Sequence, residues 1–210
     1  MTDPRIHTIL NHLLPLAATQ GWTDATLKSA AQQAGETGQT IPFLFPNGIS
    51  DALSAWQKQI DAAMVARVTA QGWASDRVRD KVAQCVWTRL EIIGEHHDAF
   101  RHATRQRLWH PKIVTGDLWH SADAIWNVAG DTSSDYNHYT KRLLLAKLLF
   151  KTTLSYLGDT SPAYADTRAY LDTQIENIVT MGQKLGTLKP ALTKIWSLAE
   201  RMGFRVETIR

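Results

Sequence analysis

The sequence predicts an all-α protein of about nine or ten helices, and three observations support this. Apolar residues recur every three or four positions, as at Ile6, Ile9 and Leu13, which is the period of an α-helix. No segment shows the strict alternation of apolar and polar residues that a half-buried strand requires. Residues that end helices recur at helical intervals, and these are Gly21, Pro42, Pro46, Gly48, Gly72, Pro111, Gly130, Gly158 and Pro162.

Residues 1–56 are predicted to form a unit of three short helices. Thr23 opens the first of two segments, 25–34 and 37–44, and an FPNG turn follows the second. This arrangement resembles the helix-turn-helix at the amino end of TetR-type regulators. DNA recognition would need Lys or Arg on the second helix, yet residues 29–57 contain neither. We therefore expect a structural unit that binds no nucleic acid.

The middle of the chain offers no group of residues typical of an enzyme. Glu95, His96, His97 and Asp98 suggest a metal site, but adjacent residues on a helix point about 100° apart and do not converge on one ion. No nucleophile elbow, phosphate-binding loop or dinucleotide fingerprint occurs. Cys85 is the single cysteine, and its place in a predicted helix favours an inert, buried thiol. We predict no catalytic activity, no metal and no cofactor.

Residues 57–182 are predicted to form a larger helical domain around one very apolar helix. Asp117 and Asp166 are expected to begin the helices before and after it. In residues 139–157, apolar side chains cover most of the circumference, while two lysines share one strip. Such a helix is either packed in the centre of the domain or forms the wall of an apolar cavity.

Residues 183–210 are the basic part of the chain. They contain six Lys or Arg residues and two Glu residues, a net charge of +4, against +3 for the whole chain. In a helix over residues 190–205, apolar side chains face one way and basic ones the other. This helix either lies in an anionic membrane surface, or packs on its own domain or across a dimer. The residues predicted to contact the membrane are Leu192, Lys194, Ile195, Trp196 and Met202.

Short motifs between residues 118 and 181 resemble a known family. They are the pair Ile125 and Trp126, the AGD of residues 129–131, the SxDxNxYTKR frame of residues 133–142 and the DTSP of residues 159–162. The chain resembles in them the accessory lipid-binding proteins of ubiquinone biosynthesis, the Coq nine type, which has alphaproteobacterial members. The similarity is looser in residues 8–56.

The resemblance implies a TetR-like fold whose larger domain holds a lipid in an apolar cavity. It also implies a surface that engages the demethoxyubiquinone hydroxylase, at His138, Tyr139 and Arg142, and a carboxy-terminal helix that docks on the membrane. The family commonly has Trp where this chain has His138. We expect these side chains to be exposed, because the first turn of the helix is polar and aromatic. Exposed aromatic and Arg side chains are the types that anchor interfaces. The residues that the resemblance suggests as cavity lining are Trp126, Leu144, Leu148, Phe150 and Leu154.

The resulting prediction is a non-enzymatic, homodimeric accessory protein. It would bind an isoprenoid quinone precursor or another lipid and present it to the hydroxylase. The amino-terminal sequence lacks the charged and apolar run of a secretion signal and the Arg-rich, Ser-rich leader of a mitochondrial precursor, so we expect the bacterial cytoplasm, peripheral to the inner membrane. Two alternatives remain: a TetR-like transcriptional regulator that senses a hydrophobic ligand, and a dimeric scaffold whose packed core binds no lipid.

Overall fold

The computed structural model describes the backbone of residues 3–107, 111–131 and 136–187, and within these residues it contains nine α-helices and no strand. The all-α prediction is confirmed. Side chains are described in the same ranges except at 107, 111–113, 136–137 and 179–187. The helices are α1 (Pro4–Gln20), α2 (Asp24–Gln33), α3 (Thr40–Leu44), α4 (Ile49–Gln71), α5 (Val78–Gly94), α6 (His97–Arg107), α7 (Pro111–Val128), α8 (Tyr136–Gly158) and α9 (Ala165–Thr187).

The predicted membrane-contact residues lie outside the described residues. They are Leu192, Lys194, Ile195, Trp196 and Met202. Among the described residues, no helix combines the length and the apolar character needed to cross a bilayer.

Most helix ends fall where glycine and proline predict them. Gly21 and Gly72 follow the last residues of α1 and α4, each with a positive φ. The expectation that Asp117 begins α7 is wrong, because the helix begins at Pro111, and a proline is well suited to the first turn. Asp166 does lie in the first turn of α9.

The FPNG turn before α4 depends on Gly48 and on Asp24 of α2. Gly48 has a φ of 60°, which favours glycine, and a Cβ placed there would collide with the Asp24 carboxylate. That carboxylate accepts a hydrogen bond from the backbone N–H of Ile49 at 2.8 Å, in the first turn of α4. The side chain that begins α2 thus also caps α4, which fixes the angle between these two helices.

Stacked aromatic rings connect α1–α3 to the rest of the protein. Trp22 stacks on Trp56 with ring centroids 5.0 Å apart, and Trp56 contacts Phe100 at 5.5 Å. The buried indole N–H of Trp22 also donates to the carbonyl oxygen of Ala99 at 2.8 Å. One apolar core therefore extends from α1 to α9. The boundaries 1–56, 57–182 and 183–210 stay a prediction.

The segment Glu95 to Asp98 is not continuous helix, contrary to expectation, since α5 ends at Gly94 and α6 begins at His97. Gly94 lies against the hydroxyl of Tyr156 on α8, and a Cβ at that position would collide with it. The chain therefore turns where α8 approaches. No group of three or more His, Cys, Asp or Glu residues is arranged to hold a metal ion in the described part of the chain.

Cys85 is fully buried, as predicted. Burial raises the pKa of its thiol to about 12, because an ionised sulfur would lose its hydration there.

Helix α8 packs between α7 and α9, but it is less enclosed than its composition suggests. One face stays exposed and includes Lys147 and Lys151 on a common strip, as expected. Apolar side chains lie on the same face: Leu143 is 61% exposed and Leu154 is 40% exposed. Of the two predicted roles of this helix, packing in the centre of the domain is therefore wrong for this third face, because neither α7 nor α9 covers it.

Asp159 organises the loop between α8 and α9. Its carboxylate accepts hydrogen bonds from the backbone N–H and the hydroxyl of Ser161 at 2.7 and 2.5 Å. It also accepts from the backbone N–H and the hydroxyl of Thr167 at 2.9 and 2.6 Å, in the first turn of α9. These bonds, first those from the Ser161 side chain and then those from Thr167, hold the pKa of Asp159 well below its ordinary value of 3.8.

Asp159→Asn should reduce stability in a pH-dependent way. The folded-state pKa is depressed, so the charged carboxylate contributes its full stability above about pH 4 and loses it as the pH falls further. Urea unfolding of both proteins between pH 3 and 7 checks this. The gap between them should be constant near neutrality and shrink below about pH 4; a gap independent of pH would contradict the assigned cause.

Candidate functional site

An aromatic and apolar surface lies where α7 meets the first turns of α8. We call Trp119, Tyr139 and Leu143 the α7–α8 patch. Tyr139 is 56% exposed and Leu143 is 61% exposed. The Trp119 and Tyr139 rings lie 6.0 Å apart, and the ring of His138 is 5.2 Å from that of Tyr139. Trp119 and His138 are partly buried, and they flank the exposed Tyr139 and Leu143. Exposed apolar side chains beside aromatic rings are typical of protein interfaces.

Arg142 was predicted to be part of an exposed surface, and this expectation is wrong. Its side chain is 2% exposed and lies beneath the patch. Its Nε donates to the Asp123 carboxylate at 2.5 Å, and its Nη2 donates to Asn127 at 3.2 Å. Its Nη1 donates to Asp131 at 3.4 Å and to the carbonyl oxygen of His138 at 3.2 Å.

Arg142 therefore ties α8 to the end of α7 and to the turn after it. Lys141 supports the same connection, since its Nζ lies 2.6 Å from the Asp131 carboxylate. Asp131 of the AGD motif and Lys141 and Arg142 of the TKR motif thus form one ion-pair cluster. A buried guanidinium needs such partners, because leaving water without them is costly.

The structure places two of the five predicted cavity residues together. Phe150 and Leu154 border a cavity of about 60 Å³, which we call the Arg89 cavity. Its other lining residues are Gln57, Arg89, Phe100, Thr104, Val114, Asp117, Leu118 and Thr153. Ligand pockets usually span about 300–1,000 Å³, so this cavity has room for a small end group rather than a whole polyprenyl chain.

The remaining three predicted residues lie elsewhere. Trp126 borders a second, apolar cavity of about 310 Å³, together with Leu145 and Ile175. Leu148 is 3% exposed and packs in the core, while Leu144 is half-buried. The five residues do not share one cavity, because α8 presents different faces to its neighbours.

A buried polar network forms one side of the Arg89 cavity. Arg89 is 2% exposed, and its Nε donates to the Asp61 carboxylate at 2.9 Å. Its Nη2 donates to the side-chain oxygen of Gln57 at 2.6 Å. Ser121 donates to the other oxygen of Asp61 at 2.7 Å. The sequence analysis did not predict this site. The signal in the sequence was Arg89 itself, which lies among the apolar positions Val86, Leu90 and Ile93 of α5.

The surface that a DNA-binding protein would use is poorly suited to phosphates. Helix α3 has five residues and no Lys or Arg, and its Phe43 is 76% exposed. Arg5 of α1 lies over the Phe43 ring at 6.0 Å, but it is ion-paired with Asp3 at 2.7 Å.

Comparison with known proteins identifies the segment that contains the patch. The family model COQ9 matches residues 114–182, which begin in α7 and end in α9. The ubiquinone biosynthesis protein COQ9 of Rattus norvegicus mitochondria is 27% identical over 87% of this chain and 61% of its own length. Residues 114–182 are therefore a COQ9-type segment.

Other COQ9 relatives match longer or shorter parts of this chain. The mitochondrial ubiquinone biosynthesis protein COQ9 of Homo sapiens is 25% identical over 87% of this chain and 60% of its own length. The mitochondrial COQ9-A of Xenopus laevis is 40% identical over 30% of this chain and 20% of its own length. The chain thus spans about 60% of the length of the first two COQ9 relatives.

The chain has a TetR-like fold. A TetR transcriptional regulator from Nitrosomonas europaea superposes with a TM-score of 0.65, over 84% of this chain and 99% of the regulator. The two sequences are 16% identical, so the comparison concerns the fold alone. The predicted TetR-like fold is confirmed.

Arg142→Ala should destabilise the protein by about 3 kcal/mol, because it leaves the buried Asp131 with one cation fewer and unties α7 from α8. Lys147→Ala, on the exposed face of the same helix, should change stability by less than about 0.5 kcal/mol. Urea unfolding measures both. Equal, small effects would mean that Arg142 does not hold the two helices together.

Proposed function

We propose that this chain is a non-enzymatic accessory protein of ubiquinone biosynthesis. The observation that supports this is the COQ9 match over residues 114–182, together with what that segment contains. It provides the α7–α8 patch and two helices that border the Arg89 cavity. The protein would bind an apolar quinone precursor, or another lipid, and present it to an enzyme.

The α7–α8 patch is the proposed docking surface for the demethoxyubiquinone hydroxylase. Tyr139 and Leu143 are exposed on consecutive turns of α8, and Trp119 borders them on α7. His138 completes the aromatic edge. Arg142 acts beneath the patch rather than in the contact, because it fixes the helix that presents Tyr139 and Leu143.

The Arg89 cavity is the proposed binding site for one end of the precursor. Phe150 and Leu154 form its wall on α8, and Leu154 is 40% exposed. An apolar tail that left the cavity at this point would continue along the exposed face of α8. Covering that tail with protein is favourable, because each CH₂ removed from water contributes about 0.8 kcal/mol.

We also propose that residues 190–205 bind the inner face of a bacterial membrane, because their sequence has a basic, amphipathic pattern. The protein would act there as a homodimer. A regulator of transcription is the alternative. Specific, salt-dependent binding to duplex DNA would favour it, although α3 offers no cation for a phosphate.

Leu143→Glu should weaken binding to the hydroxylase at least tenfold, because it places a charge in the centre of an apolar contact. Lys151→Glu is the control, since it also adds an acidic group to the exposed face of α8, two turns further on. Calorimetric titration with the hydroxylase of the same organism measures both. If Leu143→Glu and the unmodified protein bound the hydroxylase with equal affinity, the α7–α8 patch would be excluded as the docking surface.

Phe150→Trp should reduce the amount of lipid that co-purifies, because the larger ring fills the Arg89 cavity. Phe43→Trp introduces the same substitution on the exposed surface of α3 and should leave lipid binding unchanged. Mass spectrometry of organic extracts from each purified protein gives the lipid content per chain. We expect a polyprenyl quinone or precursor near one per chain in the unmodified protein.

Two results would contradict this assignment. Lipid content unaffected by Phe150→Trp would exclude the Arg89 cavity as the site. No lipid in any of the three proteins would favour a scaffold with a packed core.

A further inference from the structure

The Arg89 cavity combines apolar walls with unused hydrogen-bond donors. An arginine side chain has five N–H bonds. In Arg89, Nε donates to Asp61, and Nη2 donates to Gln57 and, at 3.4 Å, to Ser121. No described residue accepts a hydrogen bond from Nη1. The guanidinium is 2% exposed and borders the cavity, so its free N–H bonds lie in a mostly apolar setting.

Gln57 adds a second unused donor beside the first. Its side-chain oxygen accepts from Arg89, and its amide nitrogen has no acceptor among the described residues. Gln57 is 6% exposed and borders the same cavity. Both donors border the cavity, so a ligand that brought an acceptor oxygen there would complete their hydrogen bonds.

The charges around the cavity decide which kind of oxygen fits. Arg89 is already ion-paired with Asp61, so this pair is formally neutral. Asp117 borders the cavity as well and adds an acidic group. A carboxylate or phosphate on the ligand would therefore face one cation and two acidic side chains. A neutral oxygen accepts the same hydrogen bonds without that repulsion.

We propose that the Arg89 cavity receives the neutral carbonyl oxygen of an apolar ligand, a ketone or a quinone, which accepts hydrogen bonds from Arg89 Nη1 and the amide of Gln57. This rests on the proposed function and adds an orientation to it: the carbonyl end enters, and the apolar body leaves past Phe150 and Leu154. The two residues select the end group, while the walls accept any apolar body of suitable width.

The test uses the full chain, delipidated, with 2-undecanone labelled with ¹³C at its carbonyl. Infrared spectroscopy reports the carbonyl stretch of the bound ketone, which moves to lower frequency when the oxygen accepts hydrogen bonds. The variant is Gln57→Glu, which keeps an oxygen for Arg89 and replaces the amide donor with a second oxygen. Gln59→Glu, two residues along α4 and outside the cavity lining, is the matched control.

We expect the ketone to bind with a carbonyl frequency below that in hexane. Gln57→Glu should raise this frequency and weaken binding about tenfold, the effect of losing one hydrogen bond and adding a repulsive oxygen. Gln59→Glu should change neither quantity. Undecanoate should bind more weakly than the ketone. Urea unfolding of both variants establishes that each is folded at the temperature of the measurement.

Three outcomes would overturn the proposal. Ketone binding with the same affinity and frequency in Gln57→Glu and the unmodified protein would show that the carbonyl end lies outside the cavity, while the proposed lipid binding would stand. Tighter binding of undecanoate than of 2-undecanone would overturn the choice of a neutral oxygen. No binding of either probe would overturn both this orientation and the proposed lipid binding.

Discussion

The desolvated guanidinium of Arg142 is the constraint on which the COQ9-matched segment depends. It forms hydrogen bonds through all three of its nitrogens, to Asp123, Asp131, Asn127 and the His138 carbonyl. A charge so deeply buried is stable only while every one of these partners stays in place. The end of α7, the turn after it and the start of α8 are therefore fixed relative to one another. The position of α8 in turn sets where the α7–α8 patch lies and where Phe150 and Leu154 border the Arg89 cavity.

Two arginines are buried among the described residues, and they show what distinguishes a structural charge from one available to a ligand. Both are about 2% exposed, and both pair with aspartate. In Arg142 each nitrogen donates to a protein acceptor, which leaves little for a ligand to add. In Arg89 one nitrogen has no acceptor among the described residues, and it borders an apolar space. Burial alone would rank them equally, whereas the count of satisfied donors separates them.

The sequence predicted local features well and long-range ones poorly. Glycine and proline marked the ends of α1, α4 and α8 because backbone conformation there depends on the residue itself. The burial of Arg142 was missed because its main partner, Asp123, lies nineteen positions away, beyond any helical spacing. The exposure of Leu143 was missed for a related reason: a helix that is apolar on most sides does not reveal which side its neighbours leave uncovered. Likewise, Trp126 and Phe150 were expected in one cavity, but they border different ones. Only the packing angles of α7, α8 and α9 decide this.

The aromatic stack of Trp22, Trp56 and Phe100 shows that the packed core extends beyond the COQ9-matched residues 114–182. Phe100 borders the Arg89 cavity and also contacts Trp56, which stacks on Trp22. The amino-terminal part of the chain therefore packs against a wall of the cavity. A fragment cut to residues 114–182 would retain the recognisable motifs and lose Gln57, Arg89 and Phe100. The Arg89 cavity therefore depends on helices α4, α5 and α6, which lie before the COQ9-matched segment in the sequence.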